Sequence, residues 1–295
     1  MQETIENKIW TVLSLLQWTT DHLQTRGFDD ARLNVELLLS HVLRCKRIDL
    51  YIAFDKPLSS KELAAFKVLL RRRLSHEPLQ YILGEAEFMG LKFIVDRRVL
   101  IPRPETEVLV EQALKLAGGE DSVSSILDVG TGSGNIAVSA AKRLSACSVV
   151  ATDVSSEALD VARMNAESNT VGDRIRLLRH DIFQSPEALP GAPYDLVLSN
   201  PPYVSEVERN SLAREILDYE PSIAVLEGGD GLRFYRRIIE VGTQLLKKNG
   251  SLLVEVAYDQ SLPVSKMFSD AGYSDVQTIR DYSGRERVVQ ARWGS

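Results

Sequence analysis

Ser125-Ile126-Leu127-Asp128-Val129-Gly130-Thr131-Gly132-Ser133-Gly134-Asn135 reads as a short apolar strand running into a glycine loop. A helical pattern follows through Ile136, Ala137, Ala140, Ala141 and Leu144. In a strand–glycine loop–helix unit, backbone N–H groups and a helix N-terminus face a ligand. Glycines at Gly130, Gly132 and Gly134 let the backbone approach closely and take positive φ where the turn needs it. Nineteen residues after Gly134 comes Asp153, closing a second apolar run, Ser148-Val149-Val150-Ala151-Thr152. A carboxylate at that point is placed to bind ribose hydroxyls. A dinucleotide fingerprint spaces its glycines G-x-G-x-x-G, whereas here the third comes one residue early and position 135 is Asn. A tight strand-to-helix turn without a ligand is the bland alternative.

A second stretch supplies chemistry. Tyr194-Asp195-Leu196-Val197-Leu198-Ser199 reads as a buried strand and ends on Asn200-Pro201-Pro202-Tyr203. Two prolines cannot continue a ladder, because neither has an N–H and both fix φ. The chain therefore leaves the sheet stiffly, with the Asn200 side chain and the Pro201 carbonyl held at the strand's carboxyl end, where open α/β sheets bind ligands. An amide oxygen and backbone carbonyls converging there accept hydrogen bonds from an –NH2 group and orient its nitrogen. Asn-Pro pairs more often merely punctuate loops, so this reading draws its weight from the glycine loop upstream.

From about residue 124 onward, strands and helices alternate as in a doubly wound sheet. Strands are predicted at 124–129, 148–153, 174–179, 194–199 and 251–257, and helices at 135–145, 156–168, 231–247 and 260–271. Two final runs, Asp275–Arg280 and Arg287–Arg292, read as a hairpin. Asp181-Ile182 follows the third strand, setting a carboxylate beside an apolar side chain at the sheet's carboxyl end. Upstream, residues 1–84 read helical. Ile5, Ile9, Val12, Leu13 and Leu16 recur at helical spacing, as do Leu33, Leu37, Leu38, Val42 and Leu43. Ser59 and Glu62 form a capping box for a helix carrying Leu63, Phe66, Leu70 and Leu74. Arg71-Arg72-Arg73 closes that helix, where cations complement its dipole. Residues 85–105 read as a connector, with a hairpin turning near Met89-Gly90 followed by Pro102-Arg103-Pro104-Glu105. The division expected is thus 1–84, 85–105 and 106–295.

Composition sets outer bounds. The chain has 295 residues, 44% hydrophobic and 26% charged, with a net charge of −6. That acidic balance argues against stable gripping of nucleic acid. No run approaches the roughly 18 apolar residues needed to span a bilayer. The acidic first residues carry neither a secretory nor a transit pattern. Two separated cysteines, Cys45 and Cys147, suit a reducing cytoplasm, and no metal-ligand spacing is present.

With Asp128 before it and Asp153 after it, the glycine loop resembles motif I of the S-adenosylmethionine methyltransferases. The chain as a whole resembles the HemK/PrmC family, the protein-(glutamine-N5) methyltransferases of peptide chain release factors. The stretches that carry this resemblance are Glu77-Pro78-Leu79-Gln80-Tyr81-Ile82-Leu83-Gly84, Ile101-Pro102-Arg103-Pro104-Glu105-Thr106-Glu107, the glycine loop, Asn200-Pro201-Pro202-Tyr203, Glu220-Pro221 and Gly228-Gly229-Asp230-Gly231. The Asn-Pro-Pro-Tyr motif alone also suits adenine-N6 methyltransferases, and a nucleic-acid amino group is the alternative acceptor.

The resemblance implies a seven-stranded Rossmann-like fold behind a small helical domain that recognises substrate. It implies S-adenosylmethionine as donor and S-adenosylhomocysteine as product, with Asp128, Gly130, Thr131, Gly132, Gly134, Asp153, Asp181, Ile182 and Asn200 holding the cofactor. The acceptor is then the glutamine of a Gly-Gly-Gln loop, bound by Asn200, Pro201, Pro202, Tyr203, Arg103 and Glu105 on a monomeric enzyme. Asn200, Pro201 and Tyr203 are the expected catalytic positions, with Tyr203 packing on the amide face. Solvent, a backbone carbonyl or Glu105 takes the proton. Glu255-Val256-Ala257, where the family more often has glycine third, is expected to lie away from the chemistry. The acidic segment Ser205–Tyr219 is expected to order only on binding.

Overall fold

The computed structural model describes residues 9–118 and 123–294. Contacts divide the chain into Met1–Leu83 and Gly84–Ser295. The first unit is helical: α1 Val12–Gln24, α2 Ala31–Leu43, α3 Arg47–Ile52, α4 Ser60–Leu74 and α5 Leu79–Leu83. Its core gathers Leu16, Val35, Leu38, Leu39, Phe66 and Leu70. The Ser59 capping box forms, with the Ser59 N–H donating to Glu62 at 2.7 Å and the Glu62 N–H donating to Ser59 Oγ at 3.2 Å. The first helix begins later than its hydrophobic pattern suggested. Thr11 and Ser14 cap each other's backbone, so Ile9 stays outside the helix and is 77% exposed. Ile5 lies outside the described residues. Two of the three clustered arginines turn inward. Arg72 forks onto Glu77 at 2.8 and 2.7 Å, and buried Arg73 donates to Asn34 and to the Glu77 carbonyl.

The second unit opens with a hairpin, β1 Glu85–Phe88 and β2 Leu91–Ile94. Met89 and Gly90 both have positive φ, the two-residue turn whose twist matches that of the flanking strands. The hairpin expected as a connector is fastened to this unit, because Asn165 accepts the Ile94 N–H at 2.6 Å and donates to its carbonyl at 3.0 Å. A 3-10 turn at Pro104–Thr106 leads into α6 Glu107–Ala117. Then come β3 Ser125–Val129, α7 Asn135–Arg143, β4 Ser148–Asp153, α8 Ser156–Ser168, β5 Ile175–Arg179, β6 Tyr194–Ser199, α9 Arg214–Tyr219, α10 Ser222–Val225, α11 Arg233–Leu245, β7 Leu246–Glu255, α12 Ser261–Asp270, β8 Ser274–Arg280 and β9 Glu286–Arg292.

Seven strands form one sheet in the order β5-β4-β3-β6-β7-β9-β8, parallel except for β9. The chain builds outward from β3 through β4 to β5, then returns to place β6 on the other side of β3. The order therefore reverses between β3 and β6, and a crevice opens at their carboxyl ends. Val129 pairs with Ser199 there, and Ser199 Oγ donates to the Val129 carbonyl at 2.8 Å. The start of β7 differs from its sequence reading. The helix ends at Leu245 and β7 begins at Leu246, five residues before the expected strand. Lys247–Gly250 loop out between the Tyr194–Leu246 and Leu196–Ser251 pairs. Lys247 Nζ anchors that excursion on Asp195 at 2.8 Å. The Ser205–Tyr219 segment forms a Ser205–Glu208 capped turn and α9.

Candidate active site

A cavity of about 400 Å³ lies along the carboxyl ends of β3, β4, β5 and β6. Among its walls are Gly130, Gly132, Asp153, Asp181, Ile182, Asn200, Pro201 and Pro202. Eight separately predicted positions thus meet at one crevice.

The floor is built from the glycine loop. Gly130 and Thr131 donate their N–H groups to the Thr152 carbonyl at 2.9 and 2.8 Å, which bends the loop across the top of β4. Gly130 and Gly132 have φ of +74° and +54°, and a side chain at either would project into open space. The loop is therefore a cradle for a ligand and not a packed turn. Asp153 Oδ2 accepts the Gly132 N–H and Oδ1 accepts the Ser155 N–H, both at 2.9 Å. A carboxylate has about four acceptor positions, so further lone pairs of Asp153 remain for hydroxyl donors in the cavity. Burial raises its pKa against the three backbone N–H bonds that favour the charge.

Three other residues assigned to cofactor binding sit behind the loop. Asp128 is fully buried and accepts from Thr131 Oγ1 at 2.6 Å and from the Ala137 N–H at 3.2 Å. It ties the two ends of the loop together. Burial pushes its carboxyl up to about 7. Gly134 approaches Ala162 of α8 so closely that a Cβ would lie 3.1 Å from that side chain. None of the three lines the cavity; each shapes the loop that does.

At the far wall Asp181 Oδ1 accepts the Phe183 N–H at 3.0 Å, while Ile182 is buried. Sequence reading overlooked three neighbours here. His180 lines the cavity, is buried, and its Nε2 has no protein partner. Phe183 lines it too, and the Arg233 guanidinium lies 4.3 Å over the Phe183 ring. His180 follows a strand directly, and that position was its only sequence signal. Cradle, carboxylate, apolar faces and an unpartnered imidazole nitrogen together fit a nucleoside-bearing ligand such as S-adenosylmethionine.

Asn200 Nδ2 donates to Thr106 Oγ1 at 3.0 Å, which leaves Oδ1 as the other end of its amide. The Tyr203 carbonyl accepts from Gln260 Nε2 at 3.1 Å. The Tyr203 ring packs on the core beneath the sheet's end and does not line the cavity. Burial pushes its phenol up to about 12. Arg103 and Glu105 do not line the cavity either. Arg103 Nη2 donates to buried Glu220 at 2.5 Å, and Glu220 also accepts the Ile101 N–H at 3.2 Å. Glu220, quoted above only as a motif residue, is the clasp that explains an arginine between two prolines. Glu227 accepts the N–H groups of Gly231 and Arg233 at 2.8 and 3.1 Å, so the Gly-Gly-Asp-Gly loop wraps a carboxylate. Glu255 corrects an expectation. Ser199 pairs with Val254, so the register of β6 and β7 sets Glu255 beside the strand end that carries Asn200.

The PrmC N-terminal domain profile matches residues 14–84, and the methyltransferase small domain profile matches residues 105–233. A release factor glutamine methyltransferase of Chlorobaculum tepidum is 44% identical over 96% of this chain and 97% of its own length. That of Geobacter sulfurreducens is 43% identical over 99% and 100%. The chain belongs to the release factor glutamine methyltransferase family. Solved structures agree on the fold. A Pyrococcus furiosus methyltransferase is 19% identical with a TM-score of 0.51, covering 80% of this chain and all of its own. The hMettl16 catalytic domain, solved with an RNA hairpin, is also 19% identical with a TM-score of 0.56, covering 80% of each chain. Among the described residues, no helix is long and apolar enough to cross a membrane.

Proposed function

We propose that this protein transfers a methyl group from S-adenosylmethionine to the side-chain N5 of the glutamine in the Gly-Gly-Gln loop of peptide chain release factors. The observation that carries the reading is the meeting of Asn200 and Pro201 with the glycine cradle and Asp153 in one cavity. S-adenosylmethionine, when bound, supplies an electrophilic methyl group on a good leaving group. The chain's task is then to present a nitrogen whose lone pair is delocalised into a carbonyl. Asn200 Oδ1 accepts one N–H of the acceptor amide and the Pro201 carbonyl accepts the other. Two acceptors in fixed places pin the plane of that amide and hold its nitrogen face toward the methyl donor. Positioning of this kind contributes roughly 7–11 kcal/mol at best. Asp153 and the Gly130–Gly132 backbone hold the cofactor, with Ile182 and Asp181 at its base. Arg103 fixes the loop before α6 through Glu220. The released proton passes to solvent. The enzyme works on a translation factor as a monomer and holds no nucleic acid stably.

Methyl transfer is tested with labelled S-adenosylmethionine and a release factor, beside a factor whose Gly-Gly-Gln glutamine is Ala and a DNA control. Label on the intact factor alone is expected, and label on DNA alone would overturn the acceptor. Asn200→Ala is expected to lower kcat much more than cofactor affinity, since it removes orientation. A near-normal kcat in that variant would sink the clamp.

A further inference from the structure

Part of the cavity's wall comes from strand-end loops, and part from two segments that belong to no strand. Val99 and Leu100 come from the run between β2 and α6, and Pro221, Ile223 and Leu226 from the excursion that leaves the sheet after Tyr203. Ile223 lines the cavity and is still 58% exposed, so this wall stands between the cavity and solvent. Glu220 joins the two segments. Its Oε2 accepts the Ile101 N–H at 3.2 Å, and its Oε1 accepts from Arg103 Nη2 at 2.5 Å. One residue earlier, the Arg97 guanidinium lies 4.5 Å over the Tyr219 ring. The two ends of the excursion meet beside the clamp, where Val204 donates its N–H to the Val225 carbonyl at 3.2 Å and accepts the Glu227 N–H at 2.9 Å. The Glu220 side chain is 2% exposed. Leaving one charge of a buried pair alone is strongly destabilising. Without Arg103, Glu220 reaches water only by moving out, and the Pro221–Leu226 wall moves with it.

We propose that Arg103 and Glu220 are positioning residues that hold the outer wall of the cavity closed and so set how tightly, and for how long, S-adenosylmethionine is retained. This rests on the reading that the cavity takes that cofactor. Preorganisation is the physical basis. Apparent affinity falls in proportion to the fraction of molecules whose site is already formed, and a wall ordered by the fold need not be ordered by the ligand. The clasp also has a signature that general packing lacks. Removing one partner of a buried pair strands the other charge, whereas neutralising both leaves none to strand. A pair that acts as a unit is therefore non-additive, and losses from packing alone accumulate with each substitution.

The test compares wild type with Arg103→Met, Glu220→Gln and the double variant. It measures S-adenosylhomocysteine affinity by calorimetry, its dissociation rate by ligand displacement, and the melting temperature without ligand. Arg103→Met keeps the length and loses the charge, and is expected to weaken the ligand on the order of tenfold, with the change in the dissociation rate. Glu220→Gln keeps the shape and leaves no buried charge, and is expected to lose only about twofold. The double variant is expected to bind more tightly than Arg103→Met. In the wild-type enzyme, hydrogen exchange across residues 219–227 is expected to slow when S-adenosylhomocysteine binds. Wild-type retention in Arg103→Met while Asp153→Ala still weakens binding would overturn the clasp, whether or not the melting temperature falls. A double variant weaker than Arg103→Met would overturn it too. So would wild-type exchange across 219–227 that ignores the ligand, a readout that stands even where a variant fails to fold. Unchanged affinity in both Arg103→Met and Asp153→Ala would instead overturn the cofactor reading of the cavity beneath it, so the two failures are distinguishable.

Discussion

Asp153 both holds the glycine loop and lines the cavity, and in the proposed reading it also binds the ligand. Its two oxygens hold the N–H groups of Gly132 and Ser155, so the carboxylate shapes the cradle it lines. Hydrogen bonds to charged groups contribute about 1.5–3 kcal/mol, and Asp153→Ala is therefore expected to weaken S-adenosylmethionine by roughly 10–100-fold. Calorimetric titration reads this directly, and unchanged affinity would mean that the ribose contact is misassigned. Asp153 was legible in the sequence because a carboxylate closing the second strand depends only on local order along the chain. Thr106 and Glu255 were not. Thr106 lies 94 residues from Asn200 in the chain and Glu255 comes near it only through the β6–β7 register, and each has a sufficient local explanation as a helix-start threonine or a strand-end acid. At Tyr203 the motif position suggests a substrate contact, and the structure adds that part of the ring packs on the core.

Whole elements are held to the site by a few side chains that no pattern announces. Asn165 lies on the buried face of α8 and bonds both backbone groups of Ile94 in β2, and its Nδ2 also donates to the Ser133 carbonyl of the glycine loop at 2.8 Å. One amide thus fastens hairpin, helix and cradle. Asn165→Leu, close in volume, leaves these backbone groups without their partner. At about 1 kcal/mol per hydrogen bond, it is expected to lower stability by roughly 2–3 kcal/mol, read from urea unfolding. A loss no larger than that of a surface substitution would show that the hairpin is held by apolar packing alone. The hairpin itself was readable, since Met89-Gly90 between apolar runs marks a two-residue turn. The start of β7 was not, because Leu245 and Leu246 continue one apolar run across the switch from helix to strand. Only the Lys247–Asp195 pair and the close approach of Gly250 to the Tyr194 and Asp195 carbonyls reveal the bulge.

At the scale of the whole molecule, two deeply buried carboxyls near the sheet's carboxyl edge set how stability responds to pH. Burial raises Asp128 from 3.8 to about 7 and Glu255 from 4.5 to about 7. Between those values the folded chain holds protons that the unfolded chain has released. The stabilising contribution of each group is therefore complete below its unfolded pKa and lost as pH rises through about 7. Asp195 has the opposite sign. Burial alone would raise it, but the Lys247 ammonium and the Ser124 and Ser125 donors hold it well below the usual carboxylate range. Its contribution is present above about 4 and lost as pH falls toward its folded pKa. For these three groups alone, the stabilising contributions overlap best at about pH 4–5. A carboxyl held near 7 rather than 4.5 costs roughly 3 kcal/mol once ionised. Glu255→Gln removes that cost, so above about pH 8 the variant is expected to melt several degrees higher than wild type, and near about pH 4 the two should converge. Melting temperatures across pH 4–9 decide it. Parallel melting curves would show that Glu255 does not carry the linkage.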